Sequence, residues 1–118
     1  MDNASMELVR TAFDALDEKK AEDIKIIDIS KLSVFADCFV IATGNNTNHL
    51  DALVDNVEKK MSEKKIHPRQ TEGRSTGWVL MDYNDVIIHI FSKDDREFYD
   101  LERIWKDGKV IEINPADS

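Results

Sequence analysis

With 118 residues, 42% of them hydrophobic and 34% charged, the chain has room for one sheet and two or three helices around a single core. Its 24 acidic against 16 basic side chains leave a net charge of −8, which repels phosphate backbones and matches a basic protein partner better than a nucleic acid. No apolar run approaches the roughly 18 residues of a membrane span, the acid-rich start resembles neither a signal nor a transit peptide, and the single cysteine allows no internal disulfide, so a cytoplasmic protein is expected.

Val9, Ala12, Phe13 and Leu16 recur at helical spacing, which predicts a helix over residues 5–20 with Asp2, Asn3 or Ser5 as its N-cap. Residues 24–29 are short and rich in isoleucine and read as a strand. Residues 37–43 form a nearly continuous apolar run ending at Gly44, the pattern of a strand covered on both faces. Asn45, Asn46 and Thr47 can cap the next helix, in which Leu50, Leu53, Val54, Val57 and Met61 make one apolar stripe. Lys59, Lys60, Lys64 and Lys65 suit the solvated end of that helix, where positive charge meets the negative pole of its dipole. Pro68 closes the segment, and residues 69–71 can form a short edge strand.

Residues 78–83 and 86–91 are two strands joined by Asn84-Asp85, a two-residue turn that as type I′ takes positive φ at both central positions. Asp94 or Asp95 can then cap a last helix containing Phe98, Leu101, Glu102 and Trp105, with Gly108 as its stop and residues 110–113 as a final extended piece. No repeat or linker interrupts residues 1–118, which read as one domain. The order predicts an α/β fold with a single mixed sheet of about five strands and helices packed on it.

Little in the sequence supports catalysis. Cys38 falls inside a strand expected to be buried, where a thiol behaves as a small hydrophobe. The three histidines are far apart and lack metal-ligand spacing, so no metal or cofactor is expected. The loop Gly44-Asn45-Asn46-Thr47 sits between a strand and a helix, where its amides can receive an anion, yet it lacks the further glycines and the lysine of a phosphate cradle. No Asp-x-Asp pair is present to hold magnesium. A small nucleotide-binding or nucleotidyl-transfer enzyme using residues 44–47 therefore stands as the alternative reading. His89 shares a strand face with Ile87 and Phe91, opposite Ile88 and Ile90, and reads as a hydrogen-bonded packing residue of a central strand.

The most distinctive stretches are Gly77-Trp78-Val79-Leu80-Met81-Asp82-Tyr83, Val86-Ile87-Ile88-His89-Ile90-Phe91, and Arg96-Glu97-Phe98-Tyr99-Asp100-Leu101-Glu102 with Trp105. Together with Ala36-Asp37-Cys38-Phe39-Val40-Ile41-Ala42-Thr43-Gly44 and Glu72-Gly73, they closely resemble the ribosomal silencing factor family, also called Iojap-like. The resemblance runs from about Ser5 to Val110; the chain departs from the family pattern at Cys38, around Asn46 and Asn48, and at Asn84. It implies a mixed α/β sheet of nucleotidyltransferase-like topology without that active site. It also implies a homodimer that binds the fourteenth protein of the large ribosomal subunit, blocks joining of the small subunit and lowers translation when nutrients are scarce. A part in large-subunit maturation is implied as well.

On this reading Trp78 and Tyr83 are the aromatic anchors, Leu80 and Met81 add apolar area, and Glu72, Asp82 and Glu102 are acidic partners for lysine or arginine. Alternation places Trp78 and Leu80 on one strand face and Val79, Met81 and Tyr83 on the other, and one set must pack against helices. Phe91, Phe98, Leu101 and Trp105 are expected in the core, and Arg96 is expected to pair with Glu97 at the start of the last helix.

Overall fold

The computed structural model describes residues 2–113. Helix α1 (Asn3–Glu18) begins at Asp2, whose carboxylate accepts the Ser5 amide at 2.8 Å. Strands β1 (Glu22–Asp28) and β2 (Cys38–Gly44) follow, then α2 (Thr47–Glu63), capped by the Asn46 side chain on the His49 amide. Both helices close through a left-handed residue, Lys20 at φ 61° and Lys65 at φ 62°. In each case the next amide reaches back to the last turn, Ala21 to Leu16 and Ile66 to Met61, and satisfies a carbonyl the helix leaves free.

The remaining elements are β3 (Gln70–Glu72), β4 (Trp78–Asp82), β5 (Val86–Ser92), α3 (Lys93–Tyr99), α4 (Leu101–Ile104) and β6 (Lys109–Ile111). They complete one mixed sheet of six strands in the order β3-β4-β5-β2-β1-β6, in which β2 and β5 are parallel and every other pair is antiparallel. The final extended piece adds the strand that takes the sheet past the five expected. β2 and β5 lie at the centre, which explains why β2 is buried at every position and why β5 is apolar on both faces.

The two faces of the sheet are covered unequally. Helices α1 and α2 lie on one face, where Val9, Phe13, Leu16, Leu53, Val57 and Met61 pack with Val40, Met81, Ile88 and Ile90 in the main core. The stripe read in α2 is buried in full, and Leu53→Ala there would cost about 2–5 kcal/mol. Asn56 stitches the two helices together by donating to the Ala15 carbonyl at 2.7 Å. The opposite face carries a smaller cluster of Ile27, Ile29, Ala36, Phe39, Ile41 and Phe91, with Trp78, Ile87, Leu101 and Trp105 half-buried against it.

Three local expectations are corrected. The hairpin turn has positive φ at Asn84 (73°) and not at Asp85, the pattern of type II′ rather than I′. Ser92, not Asp94 or Asp95, caps the last helix by accepting the Asp95 amide at 3.1 Å, and both aspartates lie in its first turn. That helix also breaks in two, because Asp100 takes a left-handed conformation at φ 49° between α3 and α4. Phe98, on α3 before the break, is 80% exposed and is not a core residue, while Phe91 is fully buried.

Candidate protein-docking face

Strand register decides which side of β4 is free. Val79, Met81 and Tyr83 point into the helix-side core, and Trp78, Leu80 and Asp82 point to the thinly covered face, paired in register with Phe91, His89 and Ile87. Glu72 on the edge strand pairs in register with Leu80 and shares its face. Met81 is fully buried and Tyr83 nearly so, and burial pushes the Tyr83 phenol up to about 12. The docking roles expected of these two residues are therefore corrected: a surface partner does not reach them in this fold.

The acids also divide. Asp82 is buried, accepts the Arg69 guanidinium at 2.7 Å through one carboxylate oxygen, and accepts the Asn84 amide at 2.8 Å through the other. Its charge is spent on the turn, so it is a structural acid and not a free docking group. Glu102 receives both Nε and Nη2 of Arg96, at 3.1 and 3.2 Å, in a forked pair. Arg96 thus pairs with Glu102, not Glu97, and its Nη1 also donates to the Asp23 carbonyl at 2.6 Å and the Thr43 hydroxyl at 2.9 Å. Of the docking residues read from the sequence, Trp78, Leu80 and Glu72 remain accessible, side by side on one face.

Trp78 is the best-anchored of them. Its indole Nε1–H donates to Nδ1 of His89 at 3.1 Å, and its ring lies 5.1 Å from Phe91 and 4.5 Å from Tyr99. His89 is buried, and burial pushes its imidazole down to about 4, so it stays neutral and accepts the indole proton. Phe39 packs edge-on to both His89 at 4.6 Å and Trp105 at 5.3 Å. The result is a rigid, half-exposed aromatic ring on a flat sheet face, and it loses little conformational entropy when a partner covers it.

Sequence reasoning missed two exposed apolar features. Val34 and Phe35 are 93% and 84% exposed in the loop between β1 and β2, and Phe98 and Tyr99 are 80% and 41% exposed on α3. Of these, Phe98 was expected in the core because it recurs with Leu101 and Trp105 at helical spacing, and Val34 and Phe35 lie in a loop where no periodicity reports on exposure. The alternative site at residues 44–47 has much of its polar capacity already engaged. The Asn45 amide donates to Nδ1 of His49 at 2.9 Å, and the Asn46 side chain is taken by the His49 amide. Among the described residues, no group of three or more His, Cys, Asp or Glu side chains could hold a metal ion, and no helix is long and apolar enough to cross a membrane.

A six-stranded mixed sheet backed by two helices on one side, with an aromatic face left half-open on the other, defines a small α/β domain with a surface suited to protein contact. The family described as "Ribosomal silencing factor during starvation" matches residues 2–118. The chain belongs to this ribosomal silencing factor family. It is 35% identical over 111 residues to the ribosomal silencing factor RsfS of Halalkalibacterium halodurans, covering 93% of this chain and 95% of that one. It is 34% identical over 108 residues to the RsfS of Bacillus subtilis, covering 91% and 92%. A crystal structure of a Chromobacterium violaceum protein superposes with a TM-score of 0.83 at 33% identity, over 86% of this chain and 85% of that one.

Proposed function

We propose that this chain docks through the open sheet face around Trp78, Leu80 and Glu72 on the fourteenth protein of the large ribosomal subunit. Docked there it blocks joining of the small subunit and lowers translation under nutrient limitation. It acts in the cytoplasm as a homodimer, by occupying a surface and without catalysing a reaction or using a cofactor. Membership of the silencing-factor family supports the ribosomal target. The observation that carries the choice of face is the half-buried indole of Trp78, fixed by His89 and neighboured by Glu72, which has no ion-pair partner among the described residues. A net charge of −8 favours approach to a basic ribosomal protein over the surrounding RNA.

A subunit-joining assay with purified subunits tests the mechanism, with the protein added in excess. Intact joining at saturation would refute it. Trp78→Ala and Glu72→Lys locate the face: each should weaken co-sedimentation with free large subunits, Trp78→Ala by about tenfold or more. Glu72 lies on the exposed edge strand, so its reversal leaves the fold intact. Undiminished binding by both folded variants would move the docking site elsewhere.

A further inference from the structure

Helix α3 carries acids and aromatics in register with each other. Asp94 and Phe98, and Asp95 and Tyr99, stand four residues apart and are neighbours on the helix surface. Phe98 meets Tyr99 edge-on at 5.0 Å, and Tyr99 lies 4.5 Å from Trp78, so the aromatic surface runs unbroken from the sheet face onto the helix. Asp95 lies against Gly77, immediately before Trp78: a methyl group added at Gly77 would come within 2.4 Å of its carboxylate. Among the described residues Asp94, Asp95, Glu97 and Glu72 have no ion-pair partner. The two bases of the helix are Lys93 and Arg96, and Arg96 is spent on Glu102.

A carboxylate beside an aromatic ring binds a guanidinium or ammonium group in two ways at once, by the ion pair and by the negative face of the ring. Phe98 is 80% exposed beside acids that have no ion-pair partner among the described residues, and covering it with an apolar stem that ends in a cation satisfies both features. We propose that α3 and Trp78 together form a receptor for arginine or lysine side chains of a partner protein, with Phe98 as a second aromatic anchor and Asp94 and Asp95 as the charge partners. This rests on the docking face proposed above and extends it from β4 onto α3. Charge complementarity selects a basic protein over RNA, because the same carboxylates repel phosphate.

The test measures co-sedimentation of the full chain with purified large subunits at several salt concentrations, for Phe98→Ser, Asp94→Asn with Asp95→Asn, and Asp94→Lys with Asp95→Lys. Circular dichroism confirms that each variant is folded. Phe98→Ser should weaken binding about tenfold. The paired asparagine variant should bind more weakly and with a shallower salt dependence, and the lysine pair more weakly still. Tighter binding by the lysine pair would mean that the helix faces phosphate and would overturn the proposal. Wild-type binding by Phe98→Ser and the asparagine pair, alongside weakened Trp78→Ala, would overturn it while leaving the β4 face in place. Weak α3 variants beside an unaffected Trp78→Ala would overturn the joint receptor, because Trp78 is part of it, and would remove the β4 face as well. A change confined to self-association, read by equilibrium sedimentation, would make the patch a contact between copies and also overturn the proposal.

Discussion

The Trp78 indole and the His89 imidazole are joined across adjacent strands by a 3.1 Å hydrogen bond, and the bond fixes the state of both rings. Because Nδ1 of His89 accepts, the proton of the neutral ring sits on Nε2. That atom is buried without a hydrogen-bond partner, in a ring lying edge-on to Phe39 at 4.6 Å. A charged imidazole would lose the indole bond and place a cation in an aromatic cluster.

The pH dependence of stability follows from this pair. Burial pushes His89 down to about 4 from 6.5, so between those values the unfolded chain binds a proton that the folded chain excludes. Stability should therefore fall as pH drops from about 6.5 toward 4, by up to about 1.4 kcal/mol per pH unit, with no contribution from this group above that window. Urea unfolding at pH 7, 6 and 5 checks it against His89→Gln, which should show a shallower loss. Equal slopes would show that His89 is not the group responsible.

Cys38 should be silent toward thiol reagents in the folded protein. Burial, reinforced by the nearby carboxylates of Asp28 and Asp37, pushes its thiol up to about 12. Iodoacetamide at pH 8 should label Cys38 only at the rate of unfolding, and rapidly in denaturant. Prompt labelling of the native protein would contradict the buried position of β2.

Arg96 should hold the second layer in place. Neither α3 nor α4 has a fully buried residue, so the forked pair with Glu102 and the bonds to the Asp23 carbonyl and Thr43 hydroxyl carry much of their attachment to the sheet. Arg96→Ala should cost about 1–3 kcal/mol, because it removes those bonds and leaves Glu102 unpaired. Amide hydrogen exchange should accelerate in α3 and α4 and stay slow in α1 and α2. Uniform acceleration would mean that the whole domain depends on the pair.

Gly73 should tolerate no side chain. It sits at φ 82°, and a methyl group there would come within 2.0 Å of the Trp78 carbonyl oxygen. Gly73→Ala should lose more than about 1 kcal/mol in urea unfolding and shift the Trp78 fluorescence, since relief of the clash displaces the start of β4. An unshifted spectrum with full stability would refute the tight turn.

The element pattern was legible because each segment states its own period. The stripe from Leu50 to Met61 repeats at helical spacing, and the run from Cys38 to Gly44 is apolar at nearly every position, so a buried central strand follows from local composition alone. The alternation along β4 likewise separates Trp78 and Leu80 from Met81 and Tyr83 by sequence position alone. The split of the last helix was not legible, because aspartate tolerates the left-handed region but adopts it at Asp100 only in the folded setting, and many helices carry an aspartate without breaking.

By itself, then, the sequence determined one α/β domain with a mixed sheet, an acidic surface, and a hairpin divided into two sets of side chains. Only the tertiary structure decided which set stays accessible, because alternation defines two faces but not which of them the helices cover. It alone decided that Asp82 and Glu102 are spent on Arg69 and Arg96, since those partners meet through strand pairing and loop return rather than through helical spacing. It alone placed Phe98 in solvent beside Tyr99, because helical spacing groups Phe98 with Leu101 and Trp105 and the left-handed Asp100 interrupts that spacing between α3 and α4.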